Sequence, residues 1–428
     1  MSRRALTGCF TLWVAVVAAV ALGGPAGATN DPLFEEQWSL AQIKAPDAWG
    51  TATGGGVTIG VIDTGVEVDH PDLRSKIDAT ADCVGGSCRE GGGGNDPHGH
   101  GTLVAGIAAA ATGNGRGIAG VAPDARLVVA RAVDDEGNGS AADINNAIRW
   151  VVDKGARVVN LSLGDPNFLV VSVLGTPLRP AIDYAWSRGA VTVLASGNEN
   201  LGVLDIGSSN YGAVDALIVG ATTRSGATAS YSSPIGNAKW GLAAPGGSGG
   251  GAGQDILSTF VDGGYAYVAG TSMAVPHVSG ALAVLLSRGL STPAAVQRLL
   301  SSADKSVKCG PGCQGQLDVA AAVGGTGAAS PTAAPPPSAA PRSRPAAVST
   351  TTTEAPAPTA PSPGPGDDLP PELATPSLRA GRPLARTLEY SEDGPSRAPA
   401  VAAAVSLALG VGLAAGASWA RLRAGGRW

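Results

Sequence analysis

Between residues 57 and 220 the chain alternates short apolar runs with stretches of helical spacing. VTIGVI (57–62), RLVVARAV (126–133), RVVNLSL (157–163), AVTVLAS (190–196) and ALIVG (216–220) are rich in β-branched residues. Their apolar positions run nearly without interruption, as in strands buried on both faces. In AADINNAIRWVVDKG the pattern changes: Ile144, Ile148, Val151 and Val152 fall on one helical face, and Gly155 ends the helix. Thr292 before Pro293 reads as an N-cap with proline in the first turn. Strands alternating with helices predict an α/β fold, a mainly parallel central sheet with helices on both faces. Such sheets carry their chemistry beyond the carboxyl ends of the strands. Asp63 and Asn198 stand at two such ends.

The pattern changes at both termini. Arg3 and Arg4 precede the apolar run FTLWVAVVAAVAL (10–22) and an Ala-x-Ala site, so residues 1–28 read as a signal peptide. LTGC (6–9) resembles a lipoprotein box, but it lies before the apolar run instead of after it. Residues 29–325 mix apolar, glycine and charged positions as one folded domain does, large enough to bury a substantial core. Residues 326–398 are Pro, Ala, Ser and Thr text, predicted to be an extended, disordered linker. Residues 399–420 are uncharged and long enough to span a bilayer, and the tail 421–428 carries Arg421, Arg423 and Arg427. Basic residues there place the C-terminus on the cytoplasmic side, leaving the domain outside the cell on a single-pass anchor.

Net charge is −5, with no Lys/Arg cluster of the kind that follows a phosphate backbone, which argues against nucleic acid as a partner. Once the signal is removed, four cysteines remain: Cys83, Cys88, Cys309 and Cys313. Close pairs in an exported chain suggest disulfides Cys83–Cys88 and Cys309–Cys313, with a zinc site as the poorer alternative.

Asp63 lies in VIDTG, and Asp-Thr-Gly also marks aspartic proteases. Those need a second copy, and none is present. Of the four histidines, His70 sits in a His-Pro-Asp turn, and His277 is rotated about 140° from Ser272 on one helix. His98 and His100 share PHGHGTLVAGIAAAA, where an apolar helix begins at His100. Their spacing could suit a metal, but no third histidine stands close. A G-x-S-x-G pattern at 246–250 lacks the strand-turn-helix setting it needs. Ser272, in YVAGTSMAVPHVSG, is better placed, because a helix N-terminus offers unpaired N–H groups and a positive dipole end to an oxyanion.

VIDTGV, HGHGTLVAG, ASGNEN and GTSMAVPHVSG occur in that order, and together they resemble the subtilisin family of serine peptidases. The resemblance implies that Asp63 orients His100, that His100 takes and returns a proton, and that Ser272 forms an acyl-enzyme. It also implies an oxyanion site made by Asn198 and the Ser272 N–H. Leu103 stands where many members carry a second, non-catalytic histidine.

Gly137-Asn138-Gly139 and Ser162-Leu163-Gly164 resemble the segments that flank an extended peptide or protein substrate and pair with its backbone. The first-pocket walls near 162–164 and 195–197 show no charge, which suggests a preference for uncharged or apolar side chains. NDPLF, HPDL and ATGNGRGIAG resemble the calcium positions of thermitase-like members. The resemblance implies a structural Ca2+ held by Asp31, Asp72 and Asn114 side chains with carbonyls of Ala111, Arg116 and Ile118. No long propeptide separates signal from domain. Signal, short N-terminus, stalk and terminal span resemble mycosins, the membrane-anchored subtilases of type VII secretion, which implies secretion-system partners. A scaffolding subunit that uses the same fold is the alternative expectation.

Overall fold

In the central strands, alternate side chains enter two different cores. In β1 (Thr58–Asp63), Ile59 and Val61 point to one face and Ile62 to the other. In β4 (Arg126–Arg131), Leu127 and Val129 oppose Val128 and Ala130. A strand's side chains alternate between faces, so a run that is apolar throughout needs cover on both. That cover is helical. α3 (His100–Ala109) and α6 (Thr271–Ser287) bury one face. α4 (Ala141–Asp153) and α5 (Arg179–Ser187) bury the other.

The sheet has eight strands in the order β3-β2-β4-β1-β6-β7-β8-β9. The remaining members are β2 (Ile77–Asp82), β3 (Arg89–Glu90), β6 (Val158–Leu161), β7 (Val191–Ala195), β8 (Ala216–Thr222) and β9 (Trp240–Pro245). Every pairing is parallel except that of β2 with β3. An antiparallel hairpin, β10 (Ile256–Thr259) and β11 (Tyr265–Val268), leads into α6. The parallel α/β architecture is the one expected, and β1 ends on Asp63.

The computed structural model describes residues 29–135, 138–163, 177–198 and 212–324, with 378–379 and 386–388. The signal (1–28), the span (399–420), the tail (421–428), Gly137 and Gly164 lie outside these. Among the described residues no helix is long and apolar enough to cross a membrane.

Three features were not anticipated. Within the linker, expected to be disordered, β12 (Leu378–Arg379) pairs with β5 (Asn138–Gly139), and β13 (Arg386–Leu388) pairs with β11. Both use backbone left open at a sheet edge, which accepts any extended segment irrespective of side chain. Thr292 is the first residue of α7 (Thr292–Ser302), and Ser291 takes the cap position. The Thr292 hydroxyl donates instead to Gly189 O, joining this helix to the turn after α5. β2 and β9 were not foreseen: β2 (IDATAD) alternates apolar with polar, and β9 (WGLAAP) has no β-branched residue and ends on proline.

Candidate active site

Asp63 and His100 reach each other because strand β1 ends where helix α3 begins. His100 Nδ1 lies 2.6 Å from Asp63 Oδ1, with Asp63 fully buried and His100 nearly so. This close approach needs glycine after the histidine: a Cβ on Gly101 would sit 2.1 Å from Gly65 O and 3.0 Å from Asp63 Cβ. The Thr64 N–H also donates to Asp63 Oδ1, at 2.8 Å. Asp63 Oδ2 is buried with no hydrogen-bond partner among the described residues. Burial alone would push the His100 imidazole down. The charge and hydrogen bond of Asp63, with the charge of Asp96, outweigh burial and hold it above the ordinary histidine value.

Asp96 is a residue the sequence reading passed over. It is buried, accepts from Thr64 Oγ1 at 2.7 Å, and caps α3 through Gly99 N, Thr102 N and Thr102 Oγ1. Thr64 Oγ1 in turn accepts the Gly101 N–H. One carboxylate thus holds both the loop that carries Asp63 and the helix end that carries His100. Its signal was readable, as an acidic residue four positions before His100 and at the start of an apolar helix.

Ser272 is the second residue of α6 and is buried. Asn198, just past β7, presents its Oδ1 to this helix end and accepts from Thr271 N at 2.9 Å and Thr271 Oγ1 at 3.0 Å. With that oxygen occupied twice, the amide Nδ2 is the group left to donate to a developing charge. Ser162, just past β6, donates its Oγ to Ser272 O at 2.8 Å, and accepts from Asn160 Nδ2 at 2.9 Å. β6 lies between β1 and β7, and neighbouring strands stand about 4.8 Å apart. Asp63, Ser162 and Asn198 therefore mark adjacent carboxyl ends, and the serine backbone is tied to the middle one. An imidazole on a buried carboxylate, a serine at a helix start and an amide beside it can together perform acyl transfer.

Residues 54–334 match the subtilase family. The chain belongs to that family. It is 38% identical over 279 residues to thermitase of Thermoactinomyces vulgaris, covering 64% of this chain and 91% of that protein. It is 41% identical over 279 residues to a thermophilic serine proteinase of Bacillus sp. (strain AK1), covering 64% of each. A solved protease structure from Pseudoalteromonas arctica aligns with a TM-score of 0.60 at 32% identity, covering 69% of this chain and 98% of that one. The protein is a subtilisin-like serine endopeptidase.

Of the residues expected to hold this subtilase's substrate, Asn138 and Gly139 form edge strand β5, while Ser162 and Leu163 follow β6. The β5 edge already accepts an antiparallel strand, Leu378 opposite Gly139 and Arg379 opposite Asn138. The other histidines play supporting parts. His98 is buried with its ring centroid 6.2 Å from that of His100. His277 bonds Met273 O through Nδ1 at 2.7 Å, and burial pushes it down to about 4, so it stays neutral. His70 Nε2 lies 3.0 Å from Gly264 O.

The expected calcium residues meet at the loop after α3. Asp31 accepts from Gly113 N at 2.7 Å and Asn114 N at 3.0 Å. Asp72 accepts from Asn114 Nδ2 at 2.9 Å, Ile118 N at 3.0 Å and Tyr265 Oη at 2.9 Å. The Leu33 N–H donates to Gly117 O at 2.8 Å, fastening the N-terminal segment to the same loop. Burial pushes the Asp72 carboxyl up, and these donors only partly reverse it. Asp31 and Asp72 are buried carboxylates joined through Asn114, and oxygen donors of this kind suit a hard cation. Both expected disulfides, Cys83–Cys88 and Cys309–Cys313, are formed, which leaves these cysteines unavailable to zinc.

Proposed function

We propose that this subtilase hydrolyses extended segments of protein substrates through an Asp63–His100–Ser272 triad, anchored at the cell surface. The observation that carries the reading is the 2.6 Å contact of Asp63 with His100, at the sheet edge where Ser162 and Asn198 hold the start of the Ser272 helix. The substrate backbone adds a strand to β5 and runs beside Ser162–Leu163, with Gly137 and Gly164 completing the two walls. Neutral His100 accepts the Ser272 hydroxyl proton as Oγ attacks the scissile carbonyl. The oxyanion takes hydrogen bonds from Asn198 Nδ2 and the Ser272 N–H, aided by the helix dipole. His100 then hands its proton to the leaving amine, and water releases the acyl group by the reverse sequence.

A structural Ca2+ at Asp31, Asp72 and Asn114, with carbonyls of Ala111, Arg116 and Ile118, would offset the desolvation of the buried Asp72 carboxylate. It would also hold the N-terminal segment in place. Export by residues 1–28, a stalk at 326–398 and a span at 399–420 place the domain outside the membrane. This arrangement, which resembles that of mycosins, supports work beside a secretion apparatus. The test is hydrolysis of a quenched fluorescent peptide by the full chain in detergent. Activity that vanishes in Ser272→Ala supports the reading, and equal activity in that variant rejects it.

A further inference from the structure

The loop between β2 and β3 does no chemistry, yet it is tied to both ends of the segment that would hold substrate. Its tip is closed by Cys83–Cys88, and Cys83 is buried among the side chains under α4. Gly86, at φ +92°, turns both its backbone groups toward α4. Its N–H donates to Asp143 Oδ1 at 2.6 Å, and its carbonyl accepts Asn146 Nδ2 at 2.8 Å. Asp143 is buried in the first turn of α4, directly after β5, where Ser140 Oγ caps its N–H at 3.1 Å. On the other flank Asp82, the last residue of β2, accepts from Arg131 Nη1 at 3.2 Å. Arg131 Nη2 donates to Asp135 at 2.7 Å, three residues ahead of Asn138.

We infer that the disulfide-closed hairpin loop is a buttress that positions the β5 edge, so that Gly86 and Asp143 act as positioning elements for extended substrates. Among the described residues β5 pairs only with the two-residue linker strand β12, outside the eight-stranded sheet, so the edge backbone depends on its flanks for register. A charge-assisted bond from an exposed loop to a buried carboxylate supplies the exit flank. The Asp82–Arg131–Asp135 chain supplies the approach flank. The disulfide keeps Gly86 at the tip of a short closed loop, where both bonds can form together. Loosening the loop frees β5 and weakens its pairing with a peptide, while His100, Ser272 and Asn198, held by other contacts, keep their geometry.

The inference rests on the peptidase reading, and the experiment separates the two. The full chain and its Asp143→Ala, Asp143→Asn and Cys83→Ala/Cys88→Ala variants are assayed with a peptide that fills four positions before the scissile bond. The same proteins are assayed with a single-residue ester that does not reach β5, and with a fluorophosphonate probe. The expected result is a KM about tenfold higher for the long peptide in Asp143→Ala and in the double cysteine variant. Ester kinetics, kcat and the labelling rate stay unchanged, and Asp143→Asn, which keeps an accepting oxygen, stays near the parent. Asn146→Ala, losing one bond at a half-exposed position, is expected to show a smaller rise and serves if Asp143→Ala does not fold. Unchanged KM for the long peptide overturns the inference, as does an equal loss on peptide and ester. Failure of the parent chain to label at all overturns the peptidase reading and the buttress with it.

Discussion

Replacing Asp63 by asparagine removes one charge from a buried pair whose facing atoms are 2.6 Å apart. With ring and carboxylate charge centres about 4 Å apart and an effective dielectric of about 20, their attraction is about 4 kcal/mol. That attraction grows when the imidazole becomes cationic in the transition state, so its loss costs about a thousandfold in kcat. A second penalty, in which the amide turns its NH2 to the ring and imposes the wrong tautomer, can bring the loss to about 10^4. This structure opposes that turn, because the Thr64 N–H donates to the same Oδ1 and holds an oxygen there. The new NH2 then falls at the Oδ2 position, which is buried without a partner among the described residues, and should cost about 1–3 kcal/mol of stability. The expected outcome is a kcat lowered by about 10^3. The acid limb of kcat/KM should also move to lower pH, because the carboxylate that holds His100 above its ordinary value is gone. Steady-state kinetics from pH 5 to 9 and thermal unfolding measure both. A loss below about tenfold, or an acid limb moving upward, refutes the reasoning.

The remaining expectations are narrower. Asn198→Ala should lower kcat by about 10^2 to 10^3 with KM little changed, and an effect confined to KM would remove it from the oxyanion site. Chelating calcium should lower the Tm, with recovery on adding Ca2+ but not Mg2+; an unmoved Tm speaks against the metal. Burial draws His277 down to about 4, so between pH 6.5 and that value the unfolded chain binds a proton the folded chain refuses. Stability should fall as pH drops through this window, by about 3 kcal/mol, and His277→Gln should lose correspondingly less in calorimetry. β12 and a bound peptide require the same β5 backbone, so Leu378→Pro with Arg379→Pro should lower KM for a long peptide, and an unchanged KM shows that the linker strand offers no competition.

The central strands were legible because burial on both faces leaves a nearly continuous apolar run, broken once each in Val158–Leu161 and Val191–Ala195. α4 was legible through one apolar face ending at Gly155. Asp63, His100, Asn198 and Ser272 were readable as candidates because each stands at the end of an element inside a recognisable motif. What escaped was whatever depends on three-dimensional neighbours. Asp96 has no catalytic motif of its own, and its importance comes from Thr64 and Thr102 meeting it. Asn160 lies inside an apolar strand, and only the partners Ser162 and Ser279 explain its buried amide. The Gly86–Asp143 bond joins residues 57 positions apart, and no local pattern encodes it. Edge pairing by the linker is backbone chemistry, which side-chain composition does not report.

The account depends on Ser272 being a nucleophile activated by His100. Mass-spectrometric mapping of a fluorophosphonate adduct on the full chain tests it most directly. The account predicts a single adduct on Ser272 that His100→Ala slows by several orders of magnitude. An adduct on a different serine, or labelling at Ser272 that proceeds equally fast without the imidazole, contradicts it.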